Sequence, residues 1–171
     1  MLTSIQEFAR YLEGVHRRAV RDIGALPPEA EGWRPPAGEG ERGWDIGQLV
    51  QHIVDTRRMF LSVYRDEGWV MGLPGSLPRD RWVPELEASG AELAEALRGT
   101  PDEWLQRRVP AVDGSDATLS GWRALMSMVE HEVHHRSQVD TYAGINGWPV
   151  HQIFNRTAEE VARLSPGAGP G

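Results

Sequence analysis

Met128-Val129-Glu130-His131-Glu132-Val133-His134-His135-Arg136-Ser137-Gln138 gathers three of the chain's six histidines into five residues. It lies within a longer run, Ser120 to Ile145, that reads as one amphipathic helix stopped by Asn146-Gly147 and then Pro149. At about 100° per residue, Trp122, Leu125, Met126, Val129 and Val133 form one apolar stripe. Arg123, Ser127, Glu130, His134, Ser137 and Thr141 share a polar face. His131 and His135 fall on a third side with Ala124, Met128, Gln138, Val139 and Tyr142. A helix apolar over most of its circumference is expected to be buried on two sides, the second facing a pocket or a subunit interface.

The face assignment separates the histidines. His134 belongs with the solvated residues. His131 and His135 are four apart, so both imidazoles point from one face into apolar surroundings. Two unpaired imidazoles are poorly tolerated there, and a shared metal ion is the simplest common partner. A third ligand is then needed. Spacing leaves His52, His16 and a carboxylate such as Asp55 as candidates.

Composition narrows the chemistry. The chain has 171 residues, 40% of them hydrophobic, enough for one core, and residues 1–164 are expected to form one domain. A net charge of −7 argues against nucleic acid as the main partner, because a phosphate-binding face needs clustered basic charge. Cysteine is absent, which excludes disulfides, a thiol nucleophile and thiolate ligands, so a metal would rest on His and carboxylates. The first residues lack a basic and then apolar leader, and no apolar run approaches the ~20 residues of a membrane span. A cytoplasmic protein is expected.

Outward from the fourth helix, the pattern stays helical. Ser4 to Ala25 carries a stripe of Ile5, Phe8, Leu12, Val15, Ala19 and Ile23, with His16 inside it, and Leu26-Pro27-Pro28 ends it. His16 reads as a hydrogen-bonded core histidine or a pocket residue. Asp45 with Gln48 forms a capping box that opens a second helix, Ile46 to Glu67, with His52 at the edge of its core stripe. Gly68 to Val83 reads as a long loop or lid. Pro84 is placed at the first turn of a third helix to Arg98. Thr100-Pro101-Asp102-Glu103 reads as a capping box before a short helix, and the stretch from Val109 to Thr118, with Asp113-Gly114, as a turn or small hairpin. Thr157 to Leu164 reads as a short last helix, and 165–171 as a disordered Gly/Pro tail. The prediction is an all-α four-helix bundle with long crossover loops and short extra helices.

His131-Glu132-Val133-His134-His135 also satisfies H-E-x-x-H, the zinc-peptidase pattern with Glu as general base. Its metzincin extension fails at Val139, and a third ligand would have to be Glu159 or Glu160. No strands for holding an extended peptide precede it. A different pattern covers more of the chain. His52 on the second helix, followed by His131, His135 and the trailing Arg136-Ser137-Gln138, resembles the DinB family of four-helix bundles. Trp44 to His52 at the entry to helix two, and Asp140-Thr141-Tyr142 to Gly147-Trp148-Pro149 leaving helix four, extend the resemblance over about residues 4–160. Ser137 stands where Gly is more usual.

The resemblance implies a divalent metal, Zn or Ni, on His52, His131 and His135, and a homodimer. Several such proteins are thiol-dependent transferases or isomerases working with bacillithiol, mycothiol or glutathione. The expected function is therefore a metal-dependent thiol S-transferase or hydrolase acting on a small molecule, with a non-catalytic metal-binding stress-response dimer as the alternative. Three His ligands would leave one coordination position open. Glu132 and Gln138 are the catalytic candidates, with Gln48 and Asp55 as further supporting groups. Arg136 would pair with a substrate carboxylate or with Asp140, and no role is assigned to His151.

Overall fold

The structure is a computed structural model and describes residues 2–72, 75–112, 115–149, 151–152 and 156–164. The predicted tail 165–171 and the Asp113-Gly114 turn lie outside the described residues. The first two long helices begin where a local side chain captures their free amides. Glu7 N–H donates to Ser4 Oγ at the start of α1 (Ile5–Gly24). The capping box is present at α2 (Ile46–Tyr64): Gln48 N–H donates to Asp45 Oδ1 at 2.8 Å, and Asp45 N–H donates to Gln48 Oε1 at 3.0 Å. Helix α4 (Gly121–Asn146) stops at Gly147, whose φ of 67° is the left-handed conformation that glycine adopts without strain. The short α5 (Ala158–Leu164) carries a reciprocal Thr157–Glu160 cap.

Two boundaries differ from the sequence reading. Helix α3 (Arg79–Arg98) starts five residues before Pro84, so the proline is interior and not in the first turn. It removes an N–H from the ladder, but Pro84 and Asp80, whose carbonyl is freed, both face solvent and water can take the vacancy. The predicted box at Thr100 does not form either. Thr100 Oγ1 donates to the Ala96 carbonyl, while Asp102 Oδ1 accepts the Ile5 amide at 2.7 Å and ties a 3-10 turn, Asp102–Gln106, to the start of α1. The hairpin is real and small: β1 (Arg108–Pro110) pairs antiparallel with β2 (Thr118–Ser120).

Helices α1 and α2 each pack on α3 and α4, so the order around the bundle is α1–α3–α2–α4. The diagonal steps, α1 to α2 and α3 to α4, are those with long connections, at 25–45 and 99–120. The apolar interior falls into two clusters. One contains Phe8, Leu12, Phe60, Leu93, Leu125 and Val129; the other contains Ile23, Leu49, Ile53, Trp82, Leu86 and Val139. Each fully buried side chain of this size contributes about 1.5–3 kcal/mol before entropy is counted.

Between the clusters, at mid-height on all four helices, runs a polar layer. Arg57 and Glu132 are both almost fully buried. Arg57 Nε donates to Glu132 Oε2 at 3.0 Å and Nη2 to Oε1 at 2.7 Å, a two-point fork between α2 and α4. Its Nη1 donates to the Leu86 carbonyl and to Ser89 Oγ on α3. His16 Nδ1, from α1, donates to Glu132 Oε1 at 3.0 Å. The Glu132 carboxylate thus ties α1 and α2 to α4, and Arg57 carries the network on to α3.

Candidate metal centre

The cluster stands beside that layer, on the α2–α4 seam. His52 comes from α2, and His131 and His135 from successive turns of α4. Their Nε2 atoms converge: His131 to His52 is 2.9 Å and His135 to His131 is 3.1 Å. Trp44, just before the α2 cap, sets its ring edge-on to His52 at 5.0 Å between centroids. The capping box therefore positions a ligand as well as a helix, because it fixes where Trp44 leaves and where His52 arrives two turns later.

Hydrogen bonding decides which form the rings take. His135 Nδ1 donates to Gln138 Oε1 at 2.5 Å, which leaves its Nε2 as a bare lone pair aimed at the other two rings. The Gln138 amide in turn donates to the Glu41 carbonyl on the 3-10 turn Gly40–Gly43. Protonation is resisted throughout. Burial lowers the pKa of His52, against the carboxylates of Glu41 and Asp55. Burial, followed by His135 and His52, pushes His131 down to about 3. Burial also lowers His135, opposed by its bond to Gln138. Three neutral imidazoles with converging Nε2 atoms form the donor set that a divalent ion such as zinc takes, and the cluster could hold a metal. When bound, such an ion lowers the pKa of a water or thiol in its remaining position.

The other expected residues scatter. His134 is exposed, as its face requires. His16 joins the core layer through Glu132 and does not reach the cluster. Glu132, the catalytic candidate, is occupied by Arg57 and His16. Burial would raise its carboxyl, but those partners hold it down at about 2. An anion so engaged does not fit the general base of the H-E-x-x-H reading, and the third histidine comes from α2 in place of Glu159 or Glu160. Arg136 pairs with neither a free surface nor Asp140 first. It is buried, and Nε lies 3.7 Å from Asp22 on α1, beside which His151 Nδ1 stands at 3.6 Å. Gln48 is committed to the cap. Its side chain also borders a cavity.

That cavity, of about 230 Å³, opens beside His52 between α2 and the loop at 65–78. Trp44, Met59 and Met71 give it apolar walls, and Gln51 and Asp55 a polar end, where Gln51 Nε2 donates to Asp55 Oδ1 at 2.8 Å. Gly72 lets the loop close over it, since a Cβ there would stand 2.4 Å from Asp55 Cγ. Sequence reasoning missed Arg57 and Glu41, and gave Trp44 only as part of the entry to helix two, with no role at the site. Arg57 left a trace, an arginine between Ile53 and Phe60 on the core stripe of α2.

Fold and site together define a helical bundle whose second and fourth helices carry a three-histidine cluster. The sequence model of the DinB family matches residues 1–162, and the chain belongs to that family. Among solved structures, a DinB-like protein from Bacillus cereus ATCC 10987 superposes with a TM-score of 0.73 at 18% identity, covering 90% of this chain and 99% of its own. The DinB-like protein YjoA from Bacillus subtilis gives 0.65 at 16% identity, over 85% and 97%. At such identities the likeness is one of fold. No curated protein matches the chain.

Proposed function

We propose that the protein is a metal-dependent enzyme, a thiol S-transferase or hydrolase, in which His52, His131 and His135 hold one divalent ion, zinc or nickel. The observation that carries this reading is the convergence of three Nε2 atoms with at least one of them, on His135, stripped of its proton by a fixed hydrogen bond. A substrate would reach the centre from the cavity that His52 lines. There, Gln51 and Asp55 would orient the polar part of a substrate against the apolar side formed by Trp44, Met59 and Met71. Its volume is below the ~300–1,000 Å³ of common ligand pockets, which suits a small molecule or one arm of a low-molecular-weight thiol. A chain with no cysteine would need such a thiol from outside. Gln138 is a positioning residue that sets the His135 ring, not a group that touches substrate. We further propose a cytoplasmic homodimer.

Metal analysis on the purified chain tests the centre, with one divalent ion per chain expected. Thiol consumption with a panel of electrophiles and bacillithiol, mycothiol or glutathione tests the chemistry. Loading without turnover would leave the ion as a clamp between α2 and α4.

A further inference from the structure

A second set of metal-ligating side chains adjoins the first. Glu41, His134 and His135 each bring a ligand atom to within 4.8 Å of the others, and His135 is common to both sets. Glu41 and His134 are exposed, whereas His135 is buried, so the second set leads outward from the first. The Glu41 backbone is held by the Gln138 amide, the same side chain that orients His135. Its carboxylate also acts electrostatically on both His52 and His135. Neutral imidazoles attract a hydrated cation only near contact, whereas a carboxylate acts over roughly the 8–10 Å of a Debye length. The outer set supplies what the inner set lacks: a net charge in solvent and a nitrogen at the rim.

We propose that Glu41 and His134 form an outer capture station for a divalent cation, which passes through the shared His135 to His52 and His131. This rests on the metal-binding reading above. At the station the ion exchanges waters for a carboxylate oxygen and an imidazole nitrogen. Inward, it exchanges those for inner imidazoles, so it is never stripped of all ligands at once. No electron moves and no bond of the protein breaks. A station of this kind lowers the barrier in both directions. Its loss therefore slows uptake and release by the same factor and leaves the dissociation constant unchanged, whereas loss of a resident ligand speeds release and weakens binding.

Metal-free protein mixed with Co(II) in a stopped-flow spectrometer reads uptake, and transfer to excess chelator reads release. His134→Ala, an exposed change, is expected to slow both by about tenfold, the low end of what focused charge and a local ligand give to association, and still to end at one ion per chain. Glu41→Gln removes a carboxylate that also attracts the ion in its final place. It is expected to slow uptake at low salt, with the effect fading near 1 M, where the Debye length is about 3 Å; the equal slowing of release is read from His134→Ala. Uptake at the wild-type rate in both variants overturns the station while leaving the inner site intact. So does faster release with weaker binding in His134→Ala, which would make His134 a resident ligand. A wild-type chain that takes up no Co(II) removes the station and the metal reading together.

Discussion

Glu132 and the histidines that flank it, His131 and His135, bury polarity in opposite ways. Glu132 meets a guanidinium at two points and an imidazole at a third, and its charge and hydrogen bonds are closed within the bundle. His131 and His135 meet His52, a third group of their own kind, with the three Nε2 atoms converging. The carboxylate is complete without a ligand, although His16 Nε2 behind it is buried with no hydrogen-bond partner among the described residues. The second arrangement is one that a cation could complete. The same stretch of α4 carries both, because residues one apart in a helix point about 100° away from each other and so serve different seams of the bundle. A closed polar network is structural and an open one marks a site.

Breaking the closed network should cost most. Arg57→Ala strands a buried carboxylate, and a loss of about 3–5 kcal/mol is expected in urea unfolding. Folded variant protein should still load one ion. Replacing both partners, Arg57→Leu with Glu132→Leu, is expected to cost less than Arg57→Ala alone, since no unpaired charge is left. Removing a member of the open cluster should behave the other way. His52→Ala, His131→Ala and His135→Ala are each expected to lose the ion, and His134→Ala to end with it. The metal-free ligand variants should be no less stable than metal-free wild type, while wild type alone gains about 2.7 kcal/mol at free ion a hundredfold above its dissociation constant. Wild-type loading in His52→Ala would sink the three-histidine centre.

A smaller change tests how the cluster is held. Gln138→Leu leaves all three ligands but removes the acceptor that fixes the His135 tautomer. Affinity for the ion, measured by chelator competition, should fall by roughly 10–100-fold, the usual effect of removing a hydrogen-bond partner behind a metal ligand. Unchanged affinity would mean that helix packing alone orients the ring.

The pair His131/His135 was legible because periodicity assigns faces without knowledge of the partner helix. The α1 and α2 starts were legible because Ser4 and Asp45 cap through local bonds. What crosses between helices was not. The reading of α4 offered Glu132 as a catalytic candidate, although it lies four residues from Met128 and three from Val129, both buried. Arg57 sits in the core stripe of α2 and was passed over. Taken together, an Arg and a Glu on two core stripes announce a buried pair. Arg136 misled for a related reason: Asp140 is one turn away in sequence, but Asp22 across the α1–α4 contact is what it faces. Pro84 misled because first-turn placement is its commonest helical use, and only burial shows that its interior position faces water.

Acidification separates the two polar groups by smaller steps. For His52, His131 and His135 the folded pKa lies below the unfolded 6.5, with His131 at about 3. Above pH 6.5 both states are neutral and the cluster contributes nothing to the pH dependence. Below it the unfolded chain binds protons that the folded chain refuses, so metal-free protein should lose stability as pH falls from 6.5. The ceiling is about 1.4 kcal/mol per group per pH unit, reduced here because the rings are partly exposed. Glu132 acts in a lower window. Its folded pKa of about 2 lies below the ordinary 4.5, so its contribution is intact above 4.5 and is lost as pH falls from 4.5 toward 2. Denaturant midpoints across this range should therefore show two limbs. His131→Ala is expected to flatten the limb between pH 6.5 and 4.5, and Glu132→Gln to alter only the limb below. A bound ion should oppose the upper limb, because it competes with protons for the same lone pairs. A metal-free wild type with flat stability from pH 6.5 to 4.5 would show that its imidazoles accept protons as freely folded as unfolded, and the contrast between an open and a closed polar group would lose its basis.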